Sequence, residues 1–208
     1  MSFGLVKHNN NSISAITTPG NLAQGKMTLI KEQTASSSSS ISFVDGSSSV
    51  VLDNTYPIYL FKFINIHPST ETAEFQVNFR DGGSSYDATK TTTYFRSRHF
   101  ESGSSGSLSY LTGYDLAQST SSQRLALAVG SDNDQSCVGT LTLYEPSSTT
   151  FVKHFMARIQ EAVEDNQSRD QYIAGYCNTT SAIDGVQFSF SSGNIDSGTI
   201  KLYGIKGS

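Results

Sequence analysis

Residues Val186 to Ile205 read as a strand, a polar turn and a second strand. Phe188 and Phe190 alternate with Gln187 and Ser189, and Ile200 and Leu202 alternate with Thr199, Lys201 and Tyr203. A two-residue period marks strands with one buried and one solvated face. Between the two strands, Ser191 to Gly198 is, apart from Ile195, built from Ser, Gly, Asn and Asp, the residues that tight turns favour. The second strand has close counterparts upstream: Ser197-Gly-Thr-Ile-Lys-Leu-Tyr-Gly204 matches Val138-Gly-Thr-Leu-Thr-Leu-Tyr-Glu145, and Gly175-Tyr176 matches Gly113-Tyr114. A chain that reuses this element is expected to be all-β.

Three units of similar plan follow from that element. The first runs from Gly25 to Ile66, the second from Ala73 to Val129 and the third from Val138 to Phe190, after which Ser197 to Ile205 repeats an opening strand. Each offers about four short strands with polar links, which wind most simply into two packed sheets; a propeller is the alternative, but its blades would carry more uniform signatures. The expectation is an antiparallel β-sandwich, jelly-roll-like and built from repeated four-strand units. Its strands should include Ile58 to Ile66, Phe75 to Phe79, Leu125 to Val129, Thr140 to Tyr144, Phe188 to Phe190 and Thr199 to Tyr203. Its core should contain Phe61, Phe63, Phe75, Val77, Leu125, Leu127, Leu141, Leu143, Phe188, Phe190, Ile200 and Leu202. One stretch is ambiguous, because Val152, Phe155, Met156, Ile159 and Val163 also fall on a helical stripe. The favoured reading there is a strand to Ile159 followed by a polar loop from Glu161 to Arg169.

At 208 residues the chain is long enough for one domain with a sizeable core. The sandwich is assigned to residues 25–208, and residues 1–24 read as an extended arm. The arm is polar but carries Phe3, Leu5, Val6, Ile13 and Ile16, more apolar character than a solubilising tail needs, so these five are the expected partner-binding residues. Only 15% of residues are charged and the net charge is −4. With no cluster of Lys and Arg to neutralise phosphates, no nucleic-acid partner is expected. No stretch approaches the length of a membrane span or the pattern of a leader, so neither targeting nor anchoring is expected. Cys137 and Cys177 are too few for a disulfide framework and lack metal-ligand spacing; free thiols in a reducing cytoplasm are expected, with a single bridge still compatible.

Nothing in the sequence assembles into chemistry. His8, His67, His99 and His154 are dispersed, although His99 and His154 fall at matching places in two units. Gly103-Ser-Ser-Gly106 lacks the spacing of a nucleophile elbow. Asp132-Asn-Asp134 begins like a calcium loop but lacks the closing Gly and Glu, and Asp81-Gly-Gly83 reads as a turn. Asn10, Asn166 and Asn178 match the glycosylation pattern, which matters only on a secretory route. Tyr59, Tyr94, Tyr144 and Tyr203 are expected on the polar faces of strands as edge residues, or as a sugar-stacking or subunit-contact face. No catalytic, cofactor-binding or metal residue is assigned.

The segments Phe63-Ile-Asn-Ile-His-Pro68, Val77-Asn-Phe-Arg-Asp-Gly-Gly-Ser-Ser-Tyr86, Thr91-Thr-Thr-Tyr-Phe95, Pro146-Ser-Ser-Thr-Thr-Phe-Val-Lys-His-Phe155, Gly175-Tyr-Cys-Asn-Thr-Thr-Ser-Ala-Ile183 and the hairpin Ser191 to Gly204 together resemble virion structural proteins of tailed bacteriophages, especially the marine phages of cyanobacteria. The resemblance spans the chain from about Gly25 to its end and carries no catalytic residues. It implies a non-enzymatic protein made in the host cytoplasm and located in the virion, as a capsid decoration or a tail or neck accessory. The implied partners are other virion proteins and further copies of the chain, as trimers or rings. The alternative is a carbohydrate-binding module that meets host surface polysaccharide from a tail appendage.

Overall fold

The computed structural model describes residues 27–206, and within them every regular element is a strand. In chain order these are β1 (Met27–Thr34), β2 (Ile41–Val44), β3 (Ile58–Pro68), β4 (Ala73–Arg80), β5 (Lys90–Phe100) and β6 (Gly106–Tyr110), then β7 (Gln123–Val129), β8 (Cys137–Tyr144), β9 (Lys153–Val163), β10 (Gln167–Cys177), β11 (Gly185–Phe190) and β12 (Ile195–Ile205). They form an eight-stranded sheet in the order β1-β12-β3-β8-β9-β10-β5-β6 and a four-stranded sheet in the order β2-β11-β4-β7. Every pairing is antiparallel. The chain is therefore all-β, consistent with the expected sandwich. From β1 to β4 it changes sheet at each step, whereas β5–β6 and β9–β10 stay within the larger sheet and lengthen it. The expected partner-binding residues Phe3, Leu5, Val6, Ile13 and Ile16, and the boundary between arm and domain, lie outside the described residues.

The inner faces meet in a core rich in phenylalanine. Phe188 of β11 lies between rings of both sheets, with centroids 5.3 Å from Phe61, 5.1 Å from Phe63, 5.9 Å from Phe75 and 6.3 Å from Phe43. Three of these four contacts are edge-to-face, an arrangement that adds about 0.5–1.5 kcal/mol per pair beyond area burial. All twelve expected core residues are buried, and all six expected strands lie within observed ones.

Several expectations fail locally. A strand over Ser49 to Leu52, expected as part of the first unit, is absent: Val50 and Leu52 are buried in irregular chain, where the Leu52 N–H donates to Asp45 Oδ1 at 2.8 Å and the Gly46 N–H to the Val50 carbonyl at 3.0 Å. The polar loop expected from Glu161 to Arg169 is a hairpin instead, in which β9 and β10 pair without interruption from Gln167↔Val163 to Cys177↔Lys153. Asn166 closes it with φ +51°, the left-handed conformation Asn tolerates better than most residues. The matching units are not equivalent in place. The second opens with β4 in the small sheet while the third opens with β8 in the large one, and Gly113 sits in a turn while Gly175 lies inside β10. The two best-matched segments, β8 and β12, flank β3 on opposite sides. Phe61 pairs with Leu141 and with Leu202, so their registers differ by two residues and still present the same face.

Candidate interaction face

Because residues directly opposite in a ladder share a face, the registers define transverse rows on the outer side of the large sheet. One row runs Leu29, Tyr203, Leu60, Thr142, Met156, Ala174 and Thr93 across seven strands. A second runs Met27, Ile205, Ile58 and Tyr144, and His154, Tyr176 and Thr91 extend it on β9, β10 and β5. Neither row contains an acid, a lysine or an arginine. Met27, Leu29, Met156 and, one row further on, Phe95 are exposed.

Over β8, β9, β10 and β5 these rows form a trough. Depressions of about 450 Å³ and 340 Å³ meet at Tyr144, Met156 and Ala174, and a third of about 410 Å³ continues from Tyr144 to Ile58 and Phe151. Its floor is low because Thr142, Ala174 and Thr93 are small. One wall is a ridge of stacked groups. The ring of Phe95 lies 5.1 Å from that of Tyr172 at an interplanar angle of 8°, and the Arg158 guanidinium covers Tyr172 from 5.0 Å. Asp170 locks the ridge by accepting from Arg158 Nη2 at 2.7 Å and from the Tyr172 hydroxyl at 2.9 Å. These bonds hold both the Arg158 guanidinium and the Tyr172 phenol above their ordinary pKa values. The ridge carries Arg158 and Asp170; the trough beside it, apart from Arg158 on its wall and Glu145 toward Phe151, is lined by uncharged side chains.

The tyrosines expected on polar faces divide. Tyr144 and Tyr203 stand on the outer face, but Tyr59 and Tyr94 are fully buried, each with its hydroxyl bonded inside, to the Asp53 carbonyl and to Gln171 Oε1. The alternation expected for Tyr94 has the wrong parity because Lys90, Thr92 and Tyr94 are the inward set of β5. The histidines do not converge: His67 Nδ1 contacts the Gln135 carbonyl at 2.8 Å, His99 faces Ser168 and His154 faces Tyr176 at the other end of β10. Asp132 accepts the Gln135 N–H within the β7–β8 turn. Arg80 clamps Asp184 through two bonds of 2.8 and 2.9 Å beside Asp81 to Gly83. Among the described residues no His, Cys, Asp and Glu side chains gather in a group able to hold a metal ion. Cys137 and Cys177 are free and buried, and burial pushes the Cys177 thiol up to about 12.

The sequence reading missed two features. The first is Met156 as an exposed member of the outer face: the strand expected to Ile159 is present, and with Phe155, Ala157 and Ile159 inward on β9, Met156 faces out. The second is a buried polar cluster beneath the face. Glu161 Oε2 accepts the Leu127 N–H at 2.9 Å and the Ala128 N–H at 3.4 Å, while Oε1 accepts from the Gln171 amide and lies 3.7 Å from Arg169 Nη1. Since β7 is an edge of the small sheet, the carboxylate occupies N–H groups that a further strand would otherwise take. Burial raises the Glu161 pKa, and Arg169, the two backbone N–H groups and Gln171 oppose that rise. A search of family models, curated proteins and solved structures finds no match to this chain.

Proposed function

We propose that the chain is a non-enzymatic structural protein of a tailed-phage particle, assembled in multiple copies on the capsid or as a tail or neck accessory. The observation that carries this reading is the uncharged band across the large sheet, with Met27, Leu29 and Met156 exposed along it. An uncharged face that exposes large apolar side chains among Thr and Tyr is the kind of surface another chain covers. The edges point the same way. β6 is exposed along its whole length and β1 ends the sheet at the other side, so head-to-tail contact between copies would join an open edge to an open edge and close a ring or trimer.

We read the fold as a jelly roll. Supporting this, β1-β12-β3-β8 and β2-β11-β4-β7 are the two four-strand orders that jelly-roll winding produces, with β5–β6 and β9–β10 as inserted hairpins. Jelly rolls serve in viral capsids and in lectins alike, so fold alone does not choose between assembly and host recognition. The aromatic ridge favours assembly. A sugar-stacking platform needs a free ring face, and both faces of Tyr172 are already covered, by Phe95 and by Arg158. Synthesis in the host cytoplasm accords with two buried, unpaired thiols.

The experiment is deletion of Ser2 to Gln24. The truncated chain is expected to keep its melting temperature and to lose incorporation into particles. Normal occupancy of the truncated chain would remove the arm from assembly, and turnover of host polysaccharide by the purified protein would overturn the non-enzymatic reading.

A further inference from the structure

Three arginines meet where the large sheet outruns the small one. The small sheet ends at β7, whose Leu127 N–H is bonded to Glu161 of β9, so the inner side of β5 and β6 extends past that edge. β6 is exposed along its whole length. Parity places the side chains. Thr92 and Tyr94 face inward on β5, and Arg96 and Arg98 follow on the same side, as Gln167, Arg169 and Gln171 do on β10. The ladders then fix the neighbours: Arg98 stands directly opposite Arg169 and Arg96 opposite Gln171, while Ser107 and Ser109 of β6 stand opposite Arg98 and Arg96.

Like charges directly opposite in a ladder are destabilising, and little here offsets them. Among the described residues neither Arg96 nor Arg98 has an acid within ion-pair distance. Arg98 donates from Nε to Ser107 Oγ at 3.1 Å. Arg169 is only 8% exposed, yet its Nε reaches Gln167 Oε1 at 3.4 Å and its Nη atoms lie 3.7 Å from Glu161 and Asp165. Glu161 is already committed to two β7 N–H groups and the Gln171 amide, and the Asp165 side chain is 66% exposed. Among the described residues the one buried side-chain polar atom without a partner is Gln135 Oε1, so the unbonded guanidinium nitrogens of Arg96 and Arg169 open to solvent rather than into the core. Burial, with Arg169 and Arg98 adding to it, holds the Arg96 pKa below its ordinary value.

We infer that Arg96, Arg98 and Arg169, with the Ser107 and Ser109 hydroxyls beside them, form a binding site for a phosphate group. Each guanidinium is a planar fork of N–H donors suited to oxyanions, and three of them offer more donors than the two oxygens of a carboxylate can take up. A phosphate brings at least three acceptor oxygens and a charge near −2 at neutral pH, which offsets the positive charge that Glu161 and the largely solvated Asp165 leave. The site lies on the inner side of β5, β6 and β10, away from the outer face proposed for assembly, and neither reading depends on the other.

The test melts the full chain in inorganic phosphate and in chloride at equal ionic strength. Phosphate is expected to raise the melting temperature by several degrees over chloride, and to shift the side-chain N–H resonances of Arg96, Arg98 and Arg169 in NMR spectra of arginine-labelled protein. Arg96→Met and Arg98→Met should each cut the phosphate response at least several-fold. Both positions are half-buried and hold no ion pair among the described residues, so in chloride each variant should melt within a few degrees of wild type. Equal melting in phosphate and chloride, a response that survives both substitutions, or resonance shifts confined to other arginines would overturn the site. An equal response to acetate would overturn the assignment to phosphate. Phenyl phosphate separates two sources of the group: an effect equal to that of inorganic phosphate upholds a phosphate carried on a larger molecule, and a response to inorganic phosphate alone upholds the free ion.

Discussion

Replacing Glu161 tests the polar clamp between the sheets. Its carboxylate is fully buried and gathers the Leu127 and Ala128 N–H groups of β7, the Gln171 amide and the nearby Arg169 guanidinium. In Glu161→Ala the backbone N–H of Leu127 and the Gln171 amide lose their acceptor, each worth about 1–3 kcal/mol when buried and unmet. Arg169 keeps only weak contacts to Gln167 at 3.4 Å and Asp165 at 3.7 Å. Breaking a buried pair by removing one partner costs about 3–5 kcal/mol. These costs overlap, so about 4 kcal/mol is expected in total. Glu161→Gln should lose roughly half as much, because one carbonyl still serves Leu127 but its NH₂ then meets the Gln171 NH₂. Gln171 cannot turn over without releasing the Tyr94 hydroxyl, which donates to its Oε1 at 2.9 Å. Urea denaturation at neutral pH should rank wild type above Gln above Ala. The pH dependence has a definite sign. With its folded pKa raised above the ordinary 4.5, the folded chain holds this proton where the unfolded chain has released it. The group's contribution is thus complete below 4.5 and is lost as pH rises through the folded pKa, a slope that Glu161→Gln should abolish. An alanine variant within about 1 kcal/mol of wild type, the range of ordinary surface changes, would refute the clamp.

Phe188→Ala should cost about 3–5 kcal/mol in reversible denaturation, and more than Phe190→Ala, because Phe188 meets four rings while Phe190 meets one ring, that of Phe75. Gly175→Ala should destabilise by about 1–3 kcal/mol, since a Cβ there would meet the Thr91 carbonyl oxygen at 2.5 Å and Thr92 Cγ2 at 2.6 Å; an unchanged melting temperature would show that β5 and β10 separate freely. Burial lowers the Lys90 ammonium to about 8, so the unfolded chain binds the extra proton between 8 and 10.5 and stability should rise with pH in that window. Lys90→Met should flatten the rise between pH 8 and 9.5, and an unaltered slope would remove Lys90 as its source.

The strands with clean alternation were legible because one face of each meets the phenylalanine core, as for Phe61 and Phe63 or Ile200 and Leu202. Legibility failed where the inward set is polar. In β9 and β10, Glu161, Gln167, Arg169 and Gln171 occupy core-facing positions, and hydrophobicity reads such a run as a loop although its polar groups satisfy one another. In β5 the inward Lys90 and Thr92 reversed the apparent parity and put Tyr94 on the wrong face. Sheet membership was not legible, because β8 and β12 share a sequence pattern with each other that says nothing of which strand lies between them. The outer face was half legible: Tyr144 and Tyr203 were singled out, but the trough depends on cross-strand register, which brings Met156 beside Ala174 from a separate strand.

The proposed assembly role is tested most directly by cryo-electron microscopy of intact tailed-phage particles produced with this chain. The proposal requires symmetric copies of the chain fixed to the capsid, neck or tail body, with the outer face of the large sheet covered by protein density at Met156. Copies confined to a distal tip, with that face open to solvent, would contradict it.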